Sequence, residues 1–198
     1  MVEWGKISQK DRKGKTMKFK NLWGHFCTIN IHKIRVMKNC FRVGLFKQGL
    51  LHDLSKYSLE EFIPGVLYYQ GIRSPNAAER EDKGFSGAWL HHKGRNKHHY
   101  EYWIDFTTDM SQGLVGHKMP LNYVIEMMMD RIAASKTYKG KDYTDASPWE
   151  YYMHASSYMV IAPETRALLE KLLLMLKDEG EERTFAYIRH LLKKGDYE

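Results

Sequence analysis

Apolar residues recur at three- and four-residue spacing along most of this chain, and no stretch alternates convincingly between apolar and polar. That pattern predicts helices and leaves little room for a sheet. Residues 21–43 read as one amphipathic helix closed by Gly44. Residues 45–53 read as a second, short and largely apolar helix. Ser58 and Glu61 stand at capping-box spacing, which predicts a third helix over residues 59–69. Residues 71–84 hold Pro75, Asn76 and a run of charges, and read as the longest loop. Residues 85–92 are expected to be helical up to the break at Gly94, with the helix resuming over 98–106 and loop over 111–120. Residues 121–136 read as a helix with Met-rich apolar faces. After a loop over 140–146, Ser147, Pro148 and Glu150 supply a cap, a first-turn proline and an N3 acid. Residues 163–178 and 181–194 read as a helical hairpin around Gly180. The expected fold class is all-α, with no internal repeat and no low-complexity segment.

A length of 198 residues suits one domain that buries a full core without disulfides. An aromatic content of 13% excludes wholesale disorder. No apolar run approaches the ~18 residues that cross a membrane. The longest candidate, residues 168–176, is interrupted by Glu170 and Lys171. The net charge of +7 invites a nucleic-acid reading, but residues 1–20 carry +5 of it. The basicity therefore belongs to a tail, and a charged tail is usually solvated. Residues 1–20 are read as a basic flexible tail and 21–198 as a single helical domain, with no nucleic-acid face and no membrane partner. Met17 is an alternative start, and the tail lacks the apolar region of a secretory signal. Cys27 and Cys40 fall on one predicted helix, ~20 Å apart along its axis and beyond disulfide reach. They read as thiols of a reducing compartment, which points to the cytoplasm.

The ten histidines are clustered. His25 and His32 lie seven apart on the first helix, nearly on one face. His52 and Asp53 end the second helix. His91, His92, His98 and His99 share one nine-residue window, HHKGRNKHH. Asp130 interrupts an apolar stretch, EMMMDRIAASK. Each has an ordinary reading by itself: an exposed helix histidine, a chance dipeptide, a basic surface loop, an Asp paired with Arg131 or Lys136. Together they supply imidazole and carboxylate donors, the set that suits Zn, Fe, Mn, Co and Ni. Helices of a bundle can bring such donors together in its core.

The order His, His-Asp, Asp on helices resembles the HD-domain metal-dependent phosphohydrolase superfamily. His32-Lys33-Ile34-Arg35-Val36 looks like the first-helix motif of that superfamily. Gly49-Leu50-Leu51-His52-Asp53-Leu54-Ser55-Lys56 looks like its His-Asp segment, with the Lys three after the Asp. Asp130-Arg131-Ile132-Ala133-Ala134-Ser135-Lys136-Thr137-Tyr138 looks like its late Asp helix, and with Ser147-Pro148-Trp149-Glu150 suits the HD-GYP branch. The GYP tripeptide itself is absent. The likeness runs from about Lys20 to Trp149. The chain is more closely similar to a family of small uncharacterised bacterial and phage proteins sharing GLLHDLSKYS and HHKGRNKHH. His32 precedes His52 by only twenty residues, shorter than most HD domains, so His25 competes as the ligand or as a partner behind it.

The resemblance implies an HD-like helical bundle and one or two divalent transition metals. His32, His52, Asp53 and Asp130 would hold the first ion. His92 and His98 would complete a second site, with Asp53 bridging. These two are favoured in the cluster because adjacent side chains at a helix end point apart. His25, His91, His99 and Glu101 are candidates for additional ligands or for groups behind the ligands. The implied reaction is hydrolysis of a nucleotide or another small phosphate ester by metal-activated water. Lys56 would stabilise charge on the phosphoryl oxygens. Arg73, Arg95 and Lys97 are candidates for the substrate phosphate, with the alternative of solvated loop charges. Tyr68, Tyr69 and Trp103 are candidates to stack on a base, with the alternative of core aromatics. Two other classes stay open: a mixed-valence di-iron oxygenase, which the surplus of histidines favours, and a non-catalytic metal-binding module. Self-association also stays open.

Overall fold

The computed structural model describes residues 17–197. Among them are eight α-helices and one two-stranded ribbon: α1 (Phe19–Arg42), α2 (Phe46–Leu51), α3 (Leu59–Leu67), α4 (Pro75–Lys83), α5 (Gly87–Lys93), β1 (Ile104–Phe106), β2 (Leu114–Gly116), α6 (Leu121–Lys139), α7 (Ser147–Met153) and α8 (Pro163–Lys194). The all-α expectation holds. The basic tail expected over residues 1–20 lies, up to residue 16, outside the described residues, and Phe19 and Lys20 already belong to α1.

α6 is the central element. Val124, Ile125, Met127, Met128, Met129, Ile132 and Ala133 are all buried on it, so it is apolar nearly all round, as a helix enclosed by others must be. α1 lies along one side of α6, and α7 and α8 cover another. α2 folds back on α1, while α3 leans on α1 and carries α4 and α5 on its far side. The core joins Val36 and Cys40 of α1 and the α6 residues to Leu168, Leu169, Leu172, Leu173 and Leu176 of α8.

α8 is two helical arms, not one rod. Lys171 Nζ donates to Tyr187 Oη at 2.6 Å, whereas residues sixteen apart in a straight helix lie ~24 Å apart. The reversal occurs at Gly180, with φ 80 and ψ 174, a region essentially reserved for glycine. Arg42 of α1 then pairs with Glu181 at 2.7 Å and Glu182 at 2.5 Å, and Lys136 of α6 also reaches Glu181. These contacts pin the second arm to the core.

Several local expectations need correction. The second helix stops at Leu51, so His52 and Asp53 lie beyond it in a turn. Ser58 begins α3 without a side-chain cap bond, and the Glu61 carboxylate turns inward to two histidines instead of back to the Ser58 N–H, which bonds the Ser55 carbonyl. The loop expected over 71–84 contains α4, started by Pro75 at its first position and ended by Gly84. The helix expected over 98–106 is a 3₁₀ turn, Tyr100–Trp103, followed by β1. β1 pairs with β2 antiparallel, Ile104 opposite Gly116 and Phe106 opposite Leu114, so part of the 111–120 segment is strand.

Substituting Gly180→Ala is expected to lower unfolding stability by about 1–3 kcal/mol, because a Cβ strains that backbone region. Urea denaturation midpoints of the two proteins check this. Equal midpoints would mean that the reversal does not depend on the glycine.

Candidate metal centre

Four parts of the chain deliver the site. α1 supplies His32. The turn after α2 supplies His52 and Asp53. α5 and the segment after it supply His92, His98 and His99. α6 supplies Glu126 and Asp130, which stand one turn apart and therefore share a face.

The His-Asp turn is built deliberately by its neighbours. Lys33 Nζ donates to the carbonyls of Leu50 at 2.9 Å and His52 at 2.8 Å, tying the end of α2 to α1. Asp53 then takes φ 55, the single positive φ of a non-glycine among the described residues. Asp tolerates this left-handed conformation better than most side chains. The Lys56 N–H donates back to the Asp53 carbonyl at 3.0 Å. Across the site, Asn96 Nδ2 donates to Ser55 Oγ and to the His92 carbonyl, both at 2.8 Å, which locks the segment after α5 onto this turn.

Asp53 stands between two donor groups. Its Oδ2 is 3.5 Å from His32 Nε2 and 3.2 Å from His52 Nε2. Asp130 Oδ1 closes this group, 3.0 Å from His32 Nε2 and 3.8 Å from His52 Nε2. The other oxygen, Oδ1, is 3.2 Å from His92 Nε2 and 3.4 Å from His98 Nε2. In each group, {His32, His52, Asp53, Asp130} and {Asp53, His92, His98, His99}, the donor atoms lie within 4.8 Å of one another.

The residues fit a metal on two counts. First, His32 Nε2, His52 Nε2, His98 Nε2, His99 Nε2 and both Asp53 oxygens are buried without a well-formed hydrogen bond. Buried polar atoms are rarely left so. Second, ligands bound at ~2.0–2.2 Å sit roughly 3.0–3.5 Å apart around an ion, which is close to most of the spacings found here. The far nitrogens are already engaged. Glu126 Oε1 accepts from His52 Nδ1 at 2.9 Å and lies 3.1 Å from His98 Nδ1. Glu61 Oε2 accepts from His92 Nδ1 at 2.7 Å. Such carboxylates behind a histidine fix its tautomer and direct its other nitrogen inward.

Electrostatics follows from burial. Desolvation works to raise the Asp53 carboxyl, but His52, Lys56 and His92 outweigh it and hold the group well below its ordinary value. Asp130 is likewise held low against its burial, mainly by His32 and then His52 and His98. Burial and the neighbouring His98 and His92 push His99 well below the usual imidazole range.

The remaining candidates are dispersed. His91 turns to Glu61 Oε1 at 2.7 Å, away from Asp53. His98 and His99 both enter the cluster despite being adjacent, because they lie in a turn and extended backbone and not on a helix end. His25 is in neither donor group; its ring packs on Phe62, Tyr69 and the bare backbone of Gly65, where a Cβ would fall 2.2 Å from Nε2. Glu101 also lies outside both groups, raised by burial. Arg73 is held by Glu81 through both terminal nitrogens at 2.6 and 2.5 Å, while Arg95 and Lys97 are exposed. Tyr68 Oη bonds Asp82, Tyr69 Oη bonds Thr28, and Trp103 lies tilted against Tyr123, ring centroids 6.1 Å apart. Reading the sequence missed Lys33, Glu61 and Glu126. Glu126 had a signal, its position four before Asp130. Glu61 was masked by its capping-box spacing.

His25 generates a pH prediction. Burial, and then the charge of Lys56, lower it to about 4 from 6.5. Above pH 6.5 the ring is neutral folded and unfolded, so nothing is lost. As pH falls from 6.5 to about 4 the unfolded chain gains a proton that the folded ring refuses, and stability drops by about 3 kcal/mol. His25→Phe should flatten the pH dependence by that amount in denaturation curves taken at pH 7 and pH 4. An unchanged slope would show that His25 is not buried neutral.

No curated protein and no solved structure matches this chain. A family model does, over residues 21–175, a span that includes every residue of both donor groups. The chain therefore belongs to the family of unknown function DUF5662.

Proposed function

We propose that this protein is a metal-dependent phosphohydrolase of HD type, acting on a nucleotide or another small phosphate ester through two divalent transition ions. The observation that carries the reading is the placement of Asp53. Its two oxygens face separate imidazole sets, the arrangement of a bridging ligand. His32, His52, Asp53 and Asp130 would hold one ion, and Asp53, His92 and His98 the other, with His99 beside them. Such a pair supplies Lewis acidity to phosphoryl oxygens and lowers the pKa of water.

The chain's own groups do the rest. His52, Asp53, His92 and His98 are buried, which keeps bulk water from competing for the donors. Asp130 and Lys56 form the more open flank, with side-chain exposures of 18% and 29%. Lys56 Nζ lies 2.6 Å from Asp53 Oδ2, so its ammonium stands at the rim where a phosphoryl group would arrive and would stabilise its charge. Arg95, exposed on the segment between His92 and His98, would meet outer phosphates, whereas Lys97 beside it lies over the Tyr102 and Tyr123 rings at 5.8 and 5.9 Å. Arg73 is engaged by Glu81 and serves α4 instead. No thiolate nucleophile is at hand in Cys40, since burial and then Glu126 and Asp130 push that thiol far up.

One observation favours a second reading. Five imidazoles and Asp130 gather around Asp53, a donor set that equally suits iron. A mixed-valence di-iron oxygenase of the HD type would use it for oxygen chemistry.

Elemental analysis of the wild type beside Asp53→Ala tests both. Two metal equivalents are expected in the wild type and a loss of both in the variant, with helicity by circular dichroism largely retained. Lys56→Ala should keep the metal and lose at least tenfold in hydrolysis of bis(p-nitrophenyl) phosphate, a change of about 1.4 kcal/mol in the barrier. Full turnover in Lys56→Ala would remove its assigned role. Iron in both positions with oxygen consumption and no phosphatase activity would favour the second reading. A wild type that takes up no metal when supplied would overturn both.

A further inference from the structure

Glu126 occupies an unusual position for a buried carboxylate. It is 5% exposed, on the face of α6 that carries Asp130 one turn later. A single oxygen, Oε1, serves two imidazoles, at 2.9 Å from His52 Nδ1 and 3.1 Å from His98 Nδ1. Around Asp53 the two rings belong to different donor groups, His52 with His32 and Asp130 and His98 with His92 and His99, while the two rings and Glu126 form a third group whose donor atoms lie within 4.8 Å of one another. The rings lie nearly alongside each other, with centroids 4.4 Å apart and planes 34° apart. Their Nε2 atoms face opposite oxygens of Asp53, 3.2 Å from Oδ2 for His52 and 3.4 Å from Oδ1 for His98.

Two carboxylates thus clasp the same pair of imidazoles from opposite sides. Asp53 sits at the Nε2 side and Glu126 at the Nδ1 side. A neutral imidazole has one N–H and one lone pair. An oxygen that accepts from both Nδ1 positions holds both rings in the tautomer whose Nε2 lone pair is available to an ion. The hydrogen bond from His52 Nδ1 to Oε1, at 2.9 Å, is shorter than the ligand spacing around an ion, which favours Glu126 as an acceptor over Glu126 as a ligand. Glu61 does a comparable service for His92 alone within the donor groups, since its other oxygen goes to His91.

We infer that Glu126 is a positioning residue that couples the two metal subsites, by presenting one imidazole of each through a shared acceptor oxygen. Ordering of either ring by an ion orders the oxygen for the other, so the second ion binds to a prepared site. The inference rests on the two-ion reading above, and it concerns metal binding whatever reaction the ions support.

The test uses metal-stripped full-length protein titrated with cobalt(II), followed by visible absorption, for the wild type, Glu126→Met and Glu126→Gln. The wild type should take up two equivalents. Glu126→Met removes the acceptor at similar volume and should weaken both subsites by about 10–100-fold, with circular dichroism unchanged. Glu126→Gln keeps an acceptor oxygen and should recover most of that loss. A second readout is the nitrogen-15 spectrum of the zinc-loaded protein. There the Nδ1–H signals of His52 and His98 should shift together in Glu126→Gln, which decides the matter even where Glu126→Met folds poorly. Wild-type affinity at both subsites in Glu126→Met, weakening of one subsite alone, or a shift of only one histidine signal overturns the coupling and leaves the two-ion reading standing. A wild type that binds no cobalt overturns that reading together with the coupling.

Discussion

The carboxylate of Asp53 is a fully buried anion, and the surrounding fold is organised around making that tolerable. An ionised acid removed from water is expensive unless it is paired and hydrogen-bonded. Here the compensation comes from every direction. His32 and His52 approach one oxygen, His92 and His98 the other, and Lys56 closes the solvent side. These groups come from α1, the turn after α2, α5 and the segment following it. Asp130 of α6 stands opposite, a second acid sharing the same imidazoles.

The apolar core and the polar site meet on α6. Met127, Met128 and Met129 are buried in the core, while Glu126 and Asp130 flank them one turn apart on the polar face. The 3.6-residue period separates the two environments along five consecutive residues. The core thereby fixes the rotation of α6, and the rotation of α6 fixes where Glu126 and Asp130 point. Lys33 plays the matching part on α1, one residue after His32. It holds the carbonyls of Leu50 and His52, and with them the left-handed turn that aims Asp53 inward.

Much of this was legible in the sequence. α1, α6, the α8 hairpin and the proline-led start of α7 follow from local periodicity, glycine and proline, which act over a few residues, although Ser147 opens α7 as a helical residue and not as its cap. The histidines and acids that carry the site are visible as residue types at suggestive spacings. What was misread shares a different physics. Glu61 satisfies a capping pattern, yet the two histidines of α5 compete for the same carboxylate and win. Residues 75–83 look like a charged loop, yet they close into α4 with Pro75 at the first position and buried Glu79 bonding Ser86. Residues 98–106 keep a helical composition, yet the ribbon pairing of β1 with β2 takes over.

The sequence by itself determined a helical chain with a Met-rich apolar helix, a terminal hairpin, and a set of imidazoles and carboxylates too clustered to be scattered surface charge. Those properties are local: they depend on side-chain type and on spacing within a helix. Only the tertiary structure decided which histidines converge. His25 and His32 share a helix face, but α3 covers one and Asp53 and Asp130 meet the other. His91 and His92 are neighbours, but one turns to Glu61 alone and the other also reaches Asp53. That choice depends on contacts across 30 to 80 residues of chain, from Glu61 to His92 and from His52 to Glu126, and no local pattern encodes a contact of that range.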